Sequence, residues 1–149
     1  MKSISSIIFV LSTCIHSPSS KKHKFSIDIW DYNYSMSYTM HYKIDDDSLR
    51  VIAIDNIQGG RSRNLINRKM AENEKQSIAD FLSNFPFESL DSLYINPLVN
   101  DGDQKKIIIL FENKRKVIDV ENVYQKDIDS LIVTVNKLLS YDARIMYNK

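Results

Sequence analysis

The chain has 149 residues, 43% hydrophobic and 26% charged, with 20 basic and 19 acidic side chains and a formal net charge of +1. That composition fits one folded domain with its own core and excludes a disordered chain. It also excludes a strong field for nucleic acid, while three glycines and a single cysteine leave no material for a glycine-rich phosphate loop, an internal disulfide or a multi-cysteine metal site.

The N-terminal stretch MKSISSIIFVLSTC sets Lys2 before an apolar run from Ile4 to Leu11 and ends at Cys14. The run is too short to cross a bilayer as a helix, which takes roughly 20 residues, but it suits the apolar region of a secretory signal. Leu11, Ser12 and Cys14 resemble the box of bacterial lipoprotein signal peptides, with Thr13 where glycine, alanine or serine is usual. The resemblance implies a signal over residues 1–13, lipidation of Cys14 as the new N-terminus, and an envelope location facing the periplasm. The polar residues 14–24, including His16 and Pro18, then read as a tether, and residues 25–149 as a single domain.

Within that domain Phe25, Ile27 and Ile29 alternate as a first strand, and Asp31 to Asn33 make a turn. YSMSYTMHYKI follows, with Tyr34, Met36, Tyr38, Met40, Tyr42 and Ile44 on every second residue. Two-residue periodicity puts these six on one face, and Ser35, Ser37, Thr39, His41 and Lys43 on the other. The ladder is expected to be core, with Tyr38 and Met40 beneath helices; a ligand-gripping surface is the competing reading. After the polar turn Asp45-Asp46-Asp47-Ser48, Leu49 to Asp55 returns as a third strand.

Asn56 to Asn64 reads as a loop carrying Gly59-Gly60, Arg61 and Arg63, and Leu65 to Met70 as a short edge strand. A helix is expected next, opened by an Asn73/Gln76 capping box, with Ile78, Phe81, Leu82 and Phe85 on its buried stripe and Pro86 ending it. Leu90, Leu93 and Tyr94 predict a turn packed on the core. Lys105 to Glu112 and Lys116 to Val120 predict a hairpin around Asn113-Lys114. The unbroken run Ile107 to Phe111 predicts a central strand covered on both faces. Ile128, Leu131, Ile132, Val135, Leu138 and Leu139 form the stripe of a last helix, and Arg144 to Tyr147 suggests a final short strand. The fold class is α+β: a mainly antiparallel sheet in the order β-β-β-(β)-α-β-β-α, with two amphipathic helices on one face.

Chemistry is sparse. No HExxH or paired His-carboxylate spacing exists among His16, His23 and His41, and no GxSxG turn is present, so no catalytic residue, metal ligand or cofactor is assigned. Asp45-Asp46-Asp47 and Asn100-Asp101-Gly102-Asp103 read as solvated turns rather than calcium loops. Arg61 and Arg63 are the best candidates for partner binding, because an arginine can fork onto a carboxylate or phosphate. FLSNFPFESLDSLY, NDGDQ, the isoleucine-rich hairpin and LIVTVNKLL together look like small lipoproteins of the Bacteroidota type, a resemblance that implies an envelope location and carries no active site. The expected function is a lipid-anchored binding or interaction module, touching the membrane through its anchor and contacting another envelope protein, with no nucleic acid. A periplasmic inhibitor or immunity protein and a small enzyme are the alternatives. A pocket of converging Asp, Glu or Tyr side chains would favour the enzyme.

Overall fold

A computed structural model describes residues 23–32, 37–57, 59–99 and 102–147. Cys14, the apolar run before it, Tyr34 and Met36 lie outside the described residues. No helix among the described residues is long and apolar enough to cross a membrane.

The chain folds as four strands, a helix, three strands and a second helix: β1 (Phe25–Tyr32), β2 (Tyr38–Asp45), β3 (Ser48–Asp55), β4 (Arg61–Lys69), α1 (Glu72–Ser83), β5 (Leu93–Ile95), β6 (Gln104–Phe111), β7 (Lys114–Glu121) and α2 (Lys126–Asn136). One seven-stranded sheet results, in the order β4-β3-β2-β1-β6-β7-β5. Every pairing is antiparallel except that of β5 with β7. The α+β class therefore holds, with a larger, mixed sheet than the sequence suggests.

The alternation of the strands decides what is buried. Ile27, Ile29, Tyr42, Ile44, Leu49, Val51, Ile107, Ile109 and Ile118 share one sheet face and are buried. They join Ile78 and Leu82 of α1 and Ile128, Leu131, Ile132 and Val135 of α2 in a single core. Each fully buried Ile or Leu contributes roughly 1.5–3 kcal/mol relative to exposure, which is what fixes the register of the sheet. Among the described residues neither helix packs on the other face, which is partly exposed and not purely polar. On it the Trp30 ring stacks on His41 at 3.8 Å, and His41 Nε2 lies 3.0 Å from Asp28 Oδ1.

Several expectations are corrected. Arg61 and Arg63 lie in β4 rather than a loop, because Gly59 and Gly60, at φ of 74° and 76°, complete the reversal before them. The α1 cap is not Asn73 with Gln76; instead Glu74 accepts the Ala71 amide at 2.9 Å and forks onto Arg68 at 2.7 Å through both oxygens. The β6–β7 turn is Glu112-Asn113, one residue earlier than expected, since Phe111 pairs with Lys114 and Glu112 takes a φ of 52°. The two faces of strand β6 are not equally covered: Ile107 and Ile109 are buried while Ile108 is partly buried and Leu110 exposed, because both helices contribute to the core on the side of Ile107 and Ile109. Leu93 belongs to a three-residue strand with its side chain exposed. Residues 144–147 are extended without joining the sheet; Ile145 is held by the Asn136 side chain, which accepts its N–H and donates to its carbonyl, both at 2.9 Å. At the start of the domain His23 Nδ1 lies 2.9 Å from Glu112 Oε1, and Lys24 O accepts the Glu112 amide at 2.9 Å.

Candidate functional site

The eight-residue strands β1, β2 and β3 run about 26 Å, whereas the helices span about 17–18 Å. The far ends of these strands carry Asp31, Met40, Ala53, Tyr38 and Asp55 on the same face as the core, in cross-strand register Asp31↔Met40↔Ala53 and Tyr38↔Asp55. This corner of the face is only partly roofed. Tyr38 is 48% exposed, so the expectation of a core position beneath a helix is wrong for it, and Met40 is half-buried. Its neighbour Thr39, expected on a solvated face, is 4% exposed and accepts a 3.0 Å hydrogen bond from Asn56 Nδ2. The ladder is core at Tyr42 and Ile44 and becomes a rim at Tyr38.

Beneath the corner lies an ion cluster. Lys105 and Asp31 are cross-strand partners on β6 and β1, and Asp103 immediately precedes β6. Lys105 Nζ donates to Asp31 Oδ1 at 2.8 Å and to Asp103 Oδ1. The Lys105 side chain is 1% exposed, while the two carboxylates keep 18% and 20%. The Tyr147 ring centroid sits 5.9 Å from Nζ. Its hydroxyl donates to Val123 O at 2.8 Å and accepts the Gln125 amide at 2.9 Å, and burial pushes its pKa up to about 12. Burial raises the Asp31 carboxyl above its ordinary range, against the opposing pull of Lys105. Burial also raises the Tyr42 phenol, and the Asp31 charge adds to the effect.

These groups open onto a cleft of about 330 Å³, walled by Tyr38, Met40 and Tyr42 on one side and by Asp142, Arg144 and Met146 on the other. The second wall is the C-terminal segment, which buries Ala143 and Ile145 and leaves Asp142, Arg144 and Met146 exposed. Three carboxylates (Asp31, Asp103, Asp142) and two cations (Lys105, Arg144) line the cleft, leaving one formal negative charge. Lys105 donates to two carboxylates and is hidden, so it holds the cluster rather than acting as a nucleophile. Asp31, partly exposed and with a raised pKa, is the group best placed to exchange a proton.

On the other side of Tyr38 a second hollow of about 470 Å³ is lined by Ala53, Asp55, Ile57, Arg61 and Arg63. Tyr38 lines both hollows and separates them, so the sheet corner carries a groove divided at Tyr38. The structure thus sets the two arginines singled out in the sequence at one end of a groove whose other end is acidic. Cys14 lies outside the described residues. Sequence reasoning missed Asp31, Asp103, Lys105, Asp142 and Arg144. A signal existed for two of them: Asp31 continues the Phe25, Ile27, Ile29 alternation and Lys105 precedes that of Ile107, Ile109 and Phe111, so each falls on a buried face where a charge needs a partner.

The acidic turn at Asp45 is structural: its Oδ1 accepts the Asp47 and Ser48 amides at 3.0 and 2.6 Å. Burial works against its ionised form, but these bonds prevail and hold its pKa below the ordinary value. Among the described residues no three His, Cys, Asp or Glu side chains gather as a metal ligand set. Comparison of the sequence with protein-family models and with curated proteins finds no match.

Proposed function

We propose that this chain is a lipid-anchored protein of the bacterial envelope, facing the periplasm, whose domain is a binding module for another envelope protein. The anchor rests on the Lys2, Ile4–Leu11, Cys14 pattern. The binding role rests on one observation above the rest: a half-exposed Tyr38 standing between two hollows at the edge of the buried core. A tyrosine held by a strand offers a large contact area at low entropic cost, and the arginines beside it supply forked donors. The test places a photo-crosslinking side chain at Tyr38 and at Arg63 in cells, with the exposed Val133 of α2 as control. A discrete adduct from the first two positions alone, in the membrane fraction, is expected. Equal adducts from all three, or retention of both wild type and Cys14→Ala in the cytoplasm, would overturn the reading.

A second reading, a small enzyme, is favoured by the convergence of Asp31, Asp103, Tyr38 and Tyr42 on one cleft. It predicts a small molecule retained by the purified protein in native mass spectrometry and lost from Asp31→Asn. Failure to detect any such species in either form counts against it.

A further inference from the structure

Strand β4 is one edge of the sheet; among the described residues no strand pairs with its outer side. It is nine residues long, and all of them except Ile66 are exposed. An edge of that length presents a row of backbone donors and acceptors, which proteins usually blunt with a short strand, proline or a covering element. The opposite edge is blunted in that way, since β5 has three residues. Strand β4 carries no proline, and among the described residues no strand covers it; it has one register irregularity, at Leu65, and charge of one sign: Arg61, Arg63, Arg68 and Lys69, with no acidic residue.

The register places these charges. Arg61, Arg63 and Arg68 pair with Asp55, Ala53 and Leu49, so all three project from the helix-side face. Arg68 is committed to Glu74. Arg61 and Arg63 remain exposed beside the groove, with Asp55 as the one acidic neighbour on their face. A register shift between Val51 and Ile52 leaves Leu65 without a cross-strand partner in β3, so Arg61–Asn64 is a continuously paired half of the strand next to the hollow. A second copy of this chain is a poor occupant, because pairing β4 with itself sets four cations against four. The fit is to the opposite sign.

We propose that the outer edge of β4 accepts an extended acidic segment of a partner protein as an added strand, with carboxylates at alternate positions facing Arg61 and Arg63. The backbone supplies affinity and the two guanidinium groups select for acidic side chains. This deepens the binding-module reading and rests on it, but it names a contact that can fail while the groove still captures a partner.

The test uses the full-length protein and a labelled peptide of about eight residues alternating glutamate and valine, enough to span the edge at ~3.3 Å per residue. Fluorescence anisotropy should show saturable binding that weakens with salt, and about tenfold weaker binding (about 1.4 kcal/mol) for Arg61→Glu with Arg63→Glu. The same peptide methylated on alternate backbone nitrogens should lose binding, because it cannot pair as a strand. The matching lysine-valine peptide should not bind. Equal binding of the methylated peptide, unchanged affinity of the double variant, or no binding at millimolar peptide would overturn the proposal. If the peptide fails while crosslinking at Tyr38 still captures a partner, strand addition is wrong and the binding module stands.

Discussion

Replacing Lys105 by methionine tests whether the ion cluster is a strut for the groove. Methionine keeps most of the aliphatic stem, so packing changes little, but the amine is lost and Asp31 faces Asp103 without a cation. Removing one partner of a buried charge pair typically costs about 3–5 kcal/mol. Here the two carboxylates keep 18% and 20% of their exposure, so water offsets part of that, and the lower end, about 3 kcal/mol, is expected. For a domain of this size that lowers the melting temperature by roughly 10–15 °C.

The pH dependence supplies the sharper check. Asp31 already has a raised pKa from burial, with Lys105 pulling the other way; without Lys105 the carboxyl rises further. A raised folded-state pKa gives stability that is present below the unfolded value and lost as pH rises through the folded one. The penalty of Lys105→Met should therefore be largest near neutral pH and shrink as pH falls toward the ordinary carboxylate value. Adding Asp31→Asn should recover much of the loss at neutral pH. The assay is urea and thermal denaturation of the variants between pH 4 and 8. Wild-type stability of Lys105→Met at pH 7, or a penalty that does not move with pH, would refute the cluster as a charge-balanced support.

Thr39→Ala should cost about 1–2 kcal/mol, through loss of the buried bond from Asn56, whereas Tyr38→Ala should cost less than ~1 kcal/mol while weakening partner capture; paired melting curves and crosslinking yields check this. Glu74 has a lowered pKa, chiefly from the Arg68 fork and also from the Ala71 amide, so its contribution is present above the ordinary glutamate value and lost as pH falls through the folded one. Glu74→Gln should be about 0.5–1 kcal/mol less stable at pH 7, allowing for the solvent exposure of Arg68, and the difference should shrink as pH falls below the ordinary glutamate value and through the lowered folded one. Asn136→Ala removes both bonds to Ile145 and should free the outer wall of the cleft, seen as faster hydrogen exchange over residues 141–147 at a cost of about 1–2 kcal/mol.

The amino-acid pattern by itself determined the α+β class, the stripes of both helices and the strands β1, β2, β3, β6 and β7, because burial of Ile and Leu at a two-residue or 3.6-residue period is a local property that outweighs most competing terms. It could not determine how far along each strand the cover extends. Tyr38 and Tyr42 have the same place in the alternation, yet one is half-exposed and the other buried; the difference lies in tertiary cover, which reaches Tyr42 and not the end of the strand. Whether β4 began before Leu65 was equally undecidable, since its polar residues carry no periodic signal and only pairing with β3 makes them a strand. Nor does the alternation reveal that Thr39 is buried, since its partner Asn56 lies 17 residues on, in the turn after β3. The alternation puts Asp31 and Lys105 each on a buried face but names no partner for either, and only the β1–β6 register, with residues 74 positions apart in the chain brought to 2.8 Å, joins them with Asp103 in one cluster at the head of a groove.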